Sequence, residues 1–114
     1  MIKKIKRKIE LKKQCKEQFK KLDLAERLLL EDKEKALKNV DAINSAAITL
    51  ANLEEIADIN SKEQMEFIKT YQIQLTTSRV KSIIMTKQID DSLQRIQESR
   101  KQLIEAQKKL KLFS

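Results

Sequence analysis

A lone thiol (Cys15), three adjacent carboxylate pairs (Glu31/Asp32, Glu54/Glu55 and Asp90/Asp91) and two Lys/Arg-rich terminal stretches are the residues here that could do chemistry. Histidine and glycine are both absent. Without histidine, the chain lacks the commonest general base and the commonest transition-metal ligand. The Glu-x-x-His pattern of di-iron bundles cannot be written. Without glycine there is no phosphate-binding loop, no dinucleotide fingerprint and no nucleophile elbow. Neighbouring carboxylates splay around a helix, so each pair suits a solvated face better than an acid/base dyad. Cys15 falls on an apolar line with no base beside it, which predicts a packed thiol rather than a nucleophile. The chain is expected to be no enzyme, with no catalytic, cofactor or metal-binding residues.

The charge is uneven. Lys and Arg number 25 against 17 Asp and Glu, a net +8. Residues 1–21 hold ten basic residues and two Glu, residues 100–114 five and one, and the stretch between them ten basic and fourteen acidic. Basic termini can serve a polyanion. Apart from Phe19 and Phe113, however, no aromatic is interleaved with them, so nucleic acid is not an expected partner. The opening "MIKKIKRKIELKK" also reads as a basic amphipathic helix, with Ile2, Ile5 and Ile9 as an apolar edge that could touch anionic lipid. The plainer readings are a solvated helix end, or an arm docking on an acidic protein. The positive start lacks the apolar stretch of a signal peptide. No apolar run approaches the ~20 residues that span a bilayer. A single cysteine fits a reducing compartment.

Elements must position these groups, and the composition selects helices. Charged residues make up 37% and aromatics 4%, which leaves too little apolar bulk for a thick core. Hydrophobic residues still reach 40%, which argues against disorder. One seven-residue series runs Cys15, Leu22, Leu29, Ala36, Ile43, Leu50, Ala57 and is apolar throughout. Its partner line (Ile5, Lys12, Phe19, Glu26, Lys33, Val40, Ala47, Glu54) is mixed. A second strong series runs Ile68, Leu75, Ser82, Ile89, Ile96, Leu103, Leu110, broken only by Ser82. A weaker line is expected three residues further on, at Tyr71, Ser78, Met85, Ser92, Ser99, Ala106 and Phe113. These are heptad seams, one strong stripe per helix. Leu11, Leu24, Leu30, Leu37, Ile48, Leu53, Ile59, Ile73, Ile83 and Ile84 lie off or beside the stripes. The ordinary expectation is that they widen the seam within the chain; otherwise they form a partner surface.

The two strong series differ in phase, and the shift falls at "ADINSKEQ", residues 57–64. Ser61 and Gln64 have the spacing of a capping box. Asn60 is the residue type, after glycine, that best tolerates the left-handed turn ending a helix. The expectation is an all-α single domain over 1–114, with helix 1 at about 3–59, a turn at about 60–61 and helix 2 at about 62–112. Two helices of ~80 Å would then form an antiparallel coiled-coil hairpin. Leu29 would face Leu93 and Leu22 would lie near Arg100. Both basic termini would share one end.

The chain resembles the FliJ/YscO (SctO) family, the central stalks of type III secretion. Size, helical shape and basic opening are similar. The nearest local likeness is "EQMEFIKTYQIQL", residues 63–75, which is similar to the segment opening the second helix of the flagellar members. The Lys/Ile-rich composition is similar to that of the family member in the Shigella invasion system. The resemblance implies a hairpin like that of the ATP synthase γ subunit. It implies a non-enzymatic stalk in the bacterial cytoplasm, at the base of the secretion apparatus on the inner membrane. Such a stalk would link the hexameric secretion ATPase to the cytoplasmic ring of the export gate, promote effector export in virulence, and handle export chaperones. It would meet the membrane only peripherally, through the apparatus. By the local likeness, Phe67, Tyr71, Gln74 and Ser78 would face the gate. Gln74 and Ser78 depart from the family's small and imidazole side chains. Ile48 and Leu53 are assigned to the gate without a motif. For Tyr71 the competing reading is a seam residue. Lys3, Lys4, Lys6, Arg7, Lys8, Lys12, Lys13, Lys108, Lys109 and Lys111 would face the ATPase. The alternatives are a structural coiled-coil protein of another system, or a basic helical binder of nucleic acid or a membrane surface.

Overall fold

The computed structural model describes residues 2–112. Two α-helices account for nearly all of them: α1, Ile2–Ile56, with 55 residues, and α2, Lys62–Leu112, with 51. The fold is all-α, an α-helical hairpin, and no strand occurs among the described residues. Lys, Glu, Gln, Leu and Ala supply the helix propensity, and neither glycine nor proline interrupts it.

The reversal is built from hydrogen bonds of polar side chains. α1 stops at Ile56, three residues before the expected 59, and the turn takes up residues 57–61. The Asp58 carboxylate accepts from the Asn60 backbone N–H at 3.0 Å, and the Asp58 carbonyl accepts from the Ser61 N–H at 3.0 Å. The first bond is the side-chain mimic of a backbone turn that Asp commonly makes. Ser61 then caps α2: its Oγ accepts from the Gln64 N–H at 3.4 Å, and its carbonyl accepts the Met65 N–H at 3.1 Å. The Gln64 side chain reaches back past Ser61, where a capping box would place it, to accept from the Asp58 N–H at 2.9 Å. The left-handed conformation expected at Asn60 does not occur, because no described residue has positive φ. Asp58 satisfies the turn's donors without it, which avoids a conformation costing a non-glycine residue about 1–2 kcal/mol.

The chain divides into two compact units. Unit 1 comprises Met1–Glu31 and Ile89–Ser114, and unit 2 comprises Asp32–Gln88. In each, a segment of α1 lies against a segment of α2. Among the described residues the buried ones are Cys15, Ala36, Leu50, Ile68 and Ile89, and all five lie on the two strong stripes. The remaining members of both stripes are half-buried. α2's second line departs from expectation. Of its members only Ser92 is half-buried; Tyr71, Ser78, Met85, Ser99 and Ala106 are exposed, and Phe113 lies outside the described residues. The opposite flank holds more half-buried positions (Met65, Thr86, Leu93, Arg100 and Gln107), so α1 mainly covers that side of the Ile68 stripe. Tyr71 is therefore no seam residue.

The off-stripe hydrophobics do not widen the seam. Of the ten, only Leu11 is half-buried, and the other nine are exposed. A two-helix contact covers a narrow strip of each cylinder, and side chains to either side of it stay in water.

Candidate functional site

No helix of the described residues is long and apolar enough to cross a membrane, and no cluster of three or more His, Cys, Asp or Glu among them could hold a metal ion. Cys15 is a buried free thiol. The features that could serve function are surfaces, and they differ between the units. Unit 1 holds seventeen Lys/Arg against nine Asp/Glu, a net +8, while unit 2 holds eight of each. The whole formal net charge of the protein thus resides on the unit that carries both terminal segments.

All ten basic residues expected to face an ATPase lie in unit 1. Lys3, Lys4, Lys6, Arg7, Lys12, Lys13, Lys108, Lys109 and Lys111 are exposed, and Lys8 is half-buried. α1 has no acidic residue in its first turn, whereas α2 has Lys109 and Lys111 in its last. The α2 pair suits the negative end of its helix dipole. The cations opening α1 oppose the positive end of theirs and gain nothing from it.

Arg100 ties the two helices together within unit 1. Its Nη2 lies 3.0 Å from Asp23 Oδ1, which accepts a hydrogen bond, and 2.6 Å from Glu26 Oε2. Glu26 Oε2 is a buried oxygen, and the Arg100 guanidinium beside it is its counter-ion. Glu26 first and Asp23 after it raise the guanidinium pKa above its already high ordinary value, against partial desolvation. The apolar stripes alone place Leu22 beside Arg100. The observed partners follow Leu22 by one and four residues, a register those stripes do not define. The missed signal was a lone arginine on the seam facing two carboxylates at helical i, i+3 spacing.

Unit 2 presents apolar and aromatic surface. Phe67 and Tyr71 are both exposed, and their rings stack with centroids 5.9 Å apart and planes 14° from parallel. This is the offset geometry aromatic pairs prefer. A groove of about 490 Å³ is lined by Leu53, Ile56, Ala57, Glu63, Gln64, Phe67 and Ile68. Of the six residues assigned to a gate surface, Leu53 and Phe67 share this groove. Tyr71 joins it through the ring stack, and Gln74 and Ser78 continue along exposed α2. Ile48 is exposed but does not line the groove. Ile56, Ala57 and Glu63 were not anticipated; they line it because α1 ends at Ile56 rather than running on. A second groove of about 380 Å³ opens between the helices at Ala47, Ala51 and Thr76, where small side chains leave the seam unfilled. The Gln72 amide donates to Glu54 at 3.1 Å across its rim.

A search of family models, of curated proteins and of solved structures finds no match to this chain.

Proposed function

We propose that this protein is a non-enzymatic central stalk of a type III secretion system, which joins a hexameric secretion ATPase to the export-gate ring and promotes effector export. The observation that carries the reading is the difference in surface chemistry between the two units. Unit 1 takes the net charge of +8, and unit 2, electrically neutral, exposes twelve of the nineteen large exposed hydrophobics among the described residues. A free-standing hairpin gains nothing from so much apolar surface in water, whereas a component of a larger assembly does. The FliJ/YscO resemblance assigns each chemistry a partner. Unit 1 would seat in the ATPase ring, where identical subunits surround one asymmetric rod. Fixed side-chain pairs cannot serve every subunit, and non-directional charge can. Unit 2 would meet the gate through Phe67, Tyr71 and Leu53, the residue types favoured at the centre of interfaces.

The test uses purified secretion ATPase and gate-ring domain. Reversing Lys3, Lys4, Arg7 and Lys8 to Glu is expected to abolish most ATPase stimulation while gate binding and helicity persist. Phe67→Ala with Tyr71→Ala is expected to do the opposite. If the wild-type chain captures neither protein, the stalk reading fails and a coiled-coil component of another system takes its place.

A further inference from the structure

Ile2, Ile5 and Ile9 open α1 with their side chains in water, at 72%, 59% and 62% exposure. Their spacings of three and four place them within an arc of about 60° on the helix. The seam residues of the same stretch, the half-buried Leu11 and buried Cys15, point elsewhere. By the same helical geometry, Lys8 and Lys12 border the isoleucine arc on one side and Lys6 and Lys13 on the other. The result is an aliphatic ridge between two rows of ammonium groups, on the unit that holds the whole net charge.

We propose that this face of unit 1 docks on an anionic lipid bilayer, with α1 lying in the headgroup plane, the isoleucines inserted and the flanking lysines on acidic headgroups. Each half of the face matches one layer of that partner. Aliphatic side chains enter the acyl boundary, and lysine stems are long enough to keep their charge at the headgroups. Clustered lysines supply the attraction to acidic lipid. Other occupants use only part of it. A nucleic acid would engage the lysines but leave the isoleucines in water, and the face has no aromatic on which bases could stack. A second copy would bring two strongly positive units together. A protein groove would be expected to hold an aromatic or arginine anchor, which the ridge lacks. The inference does not rest on the stalk reading. Where both hold, lipid and ATPase compete for the same lysines, and the bilayer keeps a pool of the protein that the ATPase draws from.

The chain has no tryptophan, so an Ile5→Trp variant gives a clean fluorescence probe. The probe surface is vesicles of phosphatidylcholine containing about 30% phosphatidylserine, an anionic surface of the kind basic segments recognise. Sedimentation with these vesicles, a blue shift in the emission of the Ile5→Trp variant and loss of binding in high salt are expected, with no binding to phosphatidylcholine alone. The double variant Ile5→Ser/Ile9→Ser should bind at least about tenfold more weakly, since each inserted aliphatic side chain contributes that much or more. Because both sites are exposed, its helicity by circular dichroism should match the parent's. Absence of binding at low salt, no blue shift, equal binding by the double variant, or tighter binding to a DNA duplex than to the vesicles would each overturn the proposal. The stalk reading is scored separately, by ATPase stimulation without vesicles.

Discussion

Ser61 and Arg100 show how little of this fold rests on any one polar group, and where it does. Ser61 Oγ satisfies one of the open N–H groups at the start of α2. Ser61→Ala is expected to cost about 1 kcal/mol, read as a lower urea midpoint at unchanged slope. Arg100 is a different case, because it neutralises a buried carboxylate oxygen of Glu26. Arg100→Met leaves that oxygen without its cation. The double variant Arg100→Met/Glu26→Met removes both groups and replaces them with apolar volume. The double variant is expected to be more stable than the Arg100→Met single, in a thermal melt followed by circular dichroism. A double variant less stable than the single would mean that the pair stabilises beyond the cost of leaving Glu26 unpaired.

At the scale of the elements, each helix contributes one line of side chains and little else. Leu50 and Ile68 are buried on those lines, so truncation of either to Ala should cost about 2–4 kcal/mol. Ile73 is chemically as apolar and lies five residues from Ile68, yet it is exposed. Ile73→Ala should change stability by no more than about 0.5 kcal/mol. Urea unfolding of the three variants checks the contrast, and equal losses would mean that the off-stripe residues are covered.

Over the whole molecule, the separation of charge is what a partner would sense first. If the proposed stalk reading holds, a field set by unit 1 predicts that salt dependence and ATPase stimulation ignore the basic residues of unit 2. Lys62→Glu with Lys69→Glu should leave stimulation within about twofold of the parent, because neither lysine belongs to the unit that holds the net charge. A loss as large as that of the unit 1 reversal would show that net charge, rather than its placement, is what the partner reads.

Much of this was legible in the residues. Both strong stripes, the helical class, the Ser61 cap and the burial of Cys15 follow from local spacing, because a helix repeats its faces every few residues whatever it packs against. Phe67 lies off both lines of α2, so its exposure follows from spacing as well, whereas Tyr71 could equally have joined the seam. The contacts across the hairpin were decided by tertiary structure. Which flank of the Ile68 stripe α1 covers, the pairing of Arg100 with Asp23 and Glu26, and the groove between Leu53 and Phe67 depend on how the two helices meet. Nothing in either helix alone selects one flank over the other. The turn stands between these cases. Asp58, Ser61 and Gln64 supply its donors and acceptors, yet their pairing required α1 to stop at Ile56, and that made a left-handed Asn60 unnecessary. Sequence determined the faces of the helices, through periodicity within each one. Tertiary structure determined what those faces touch, because register and flank are properties of two helices together.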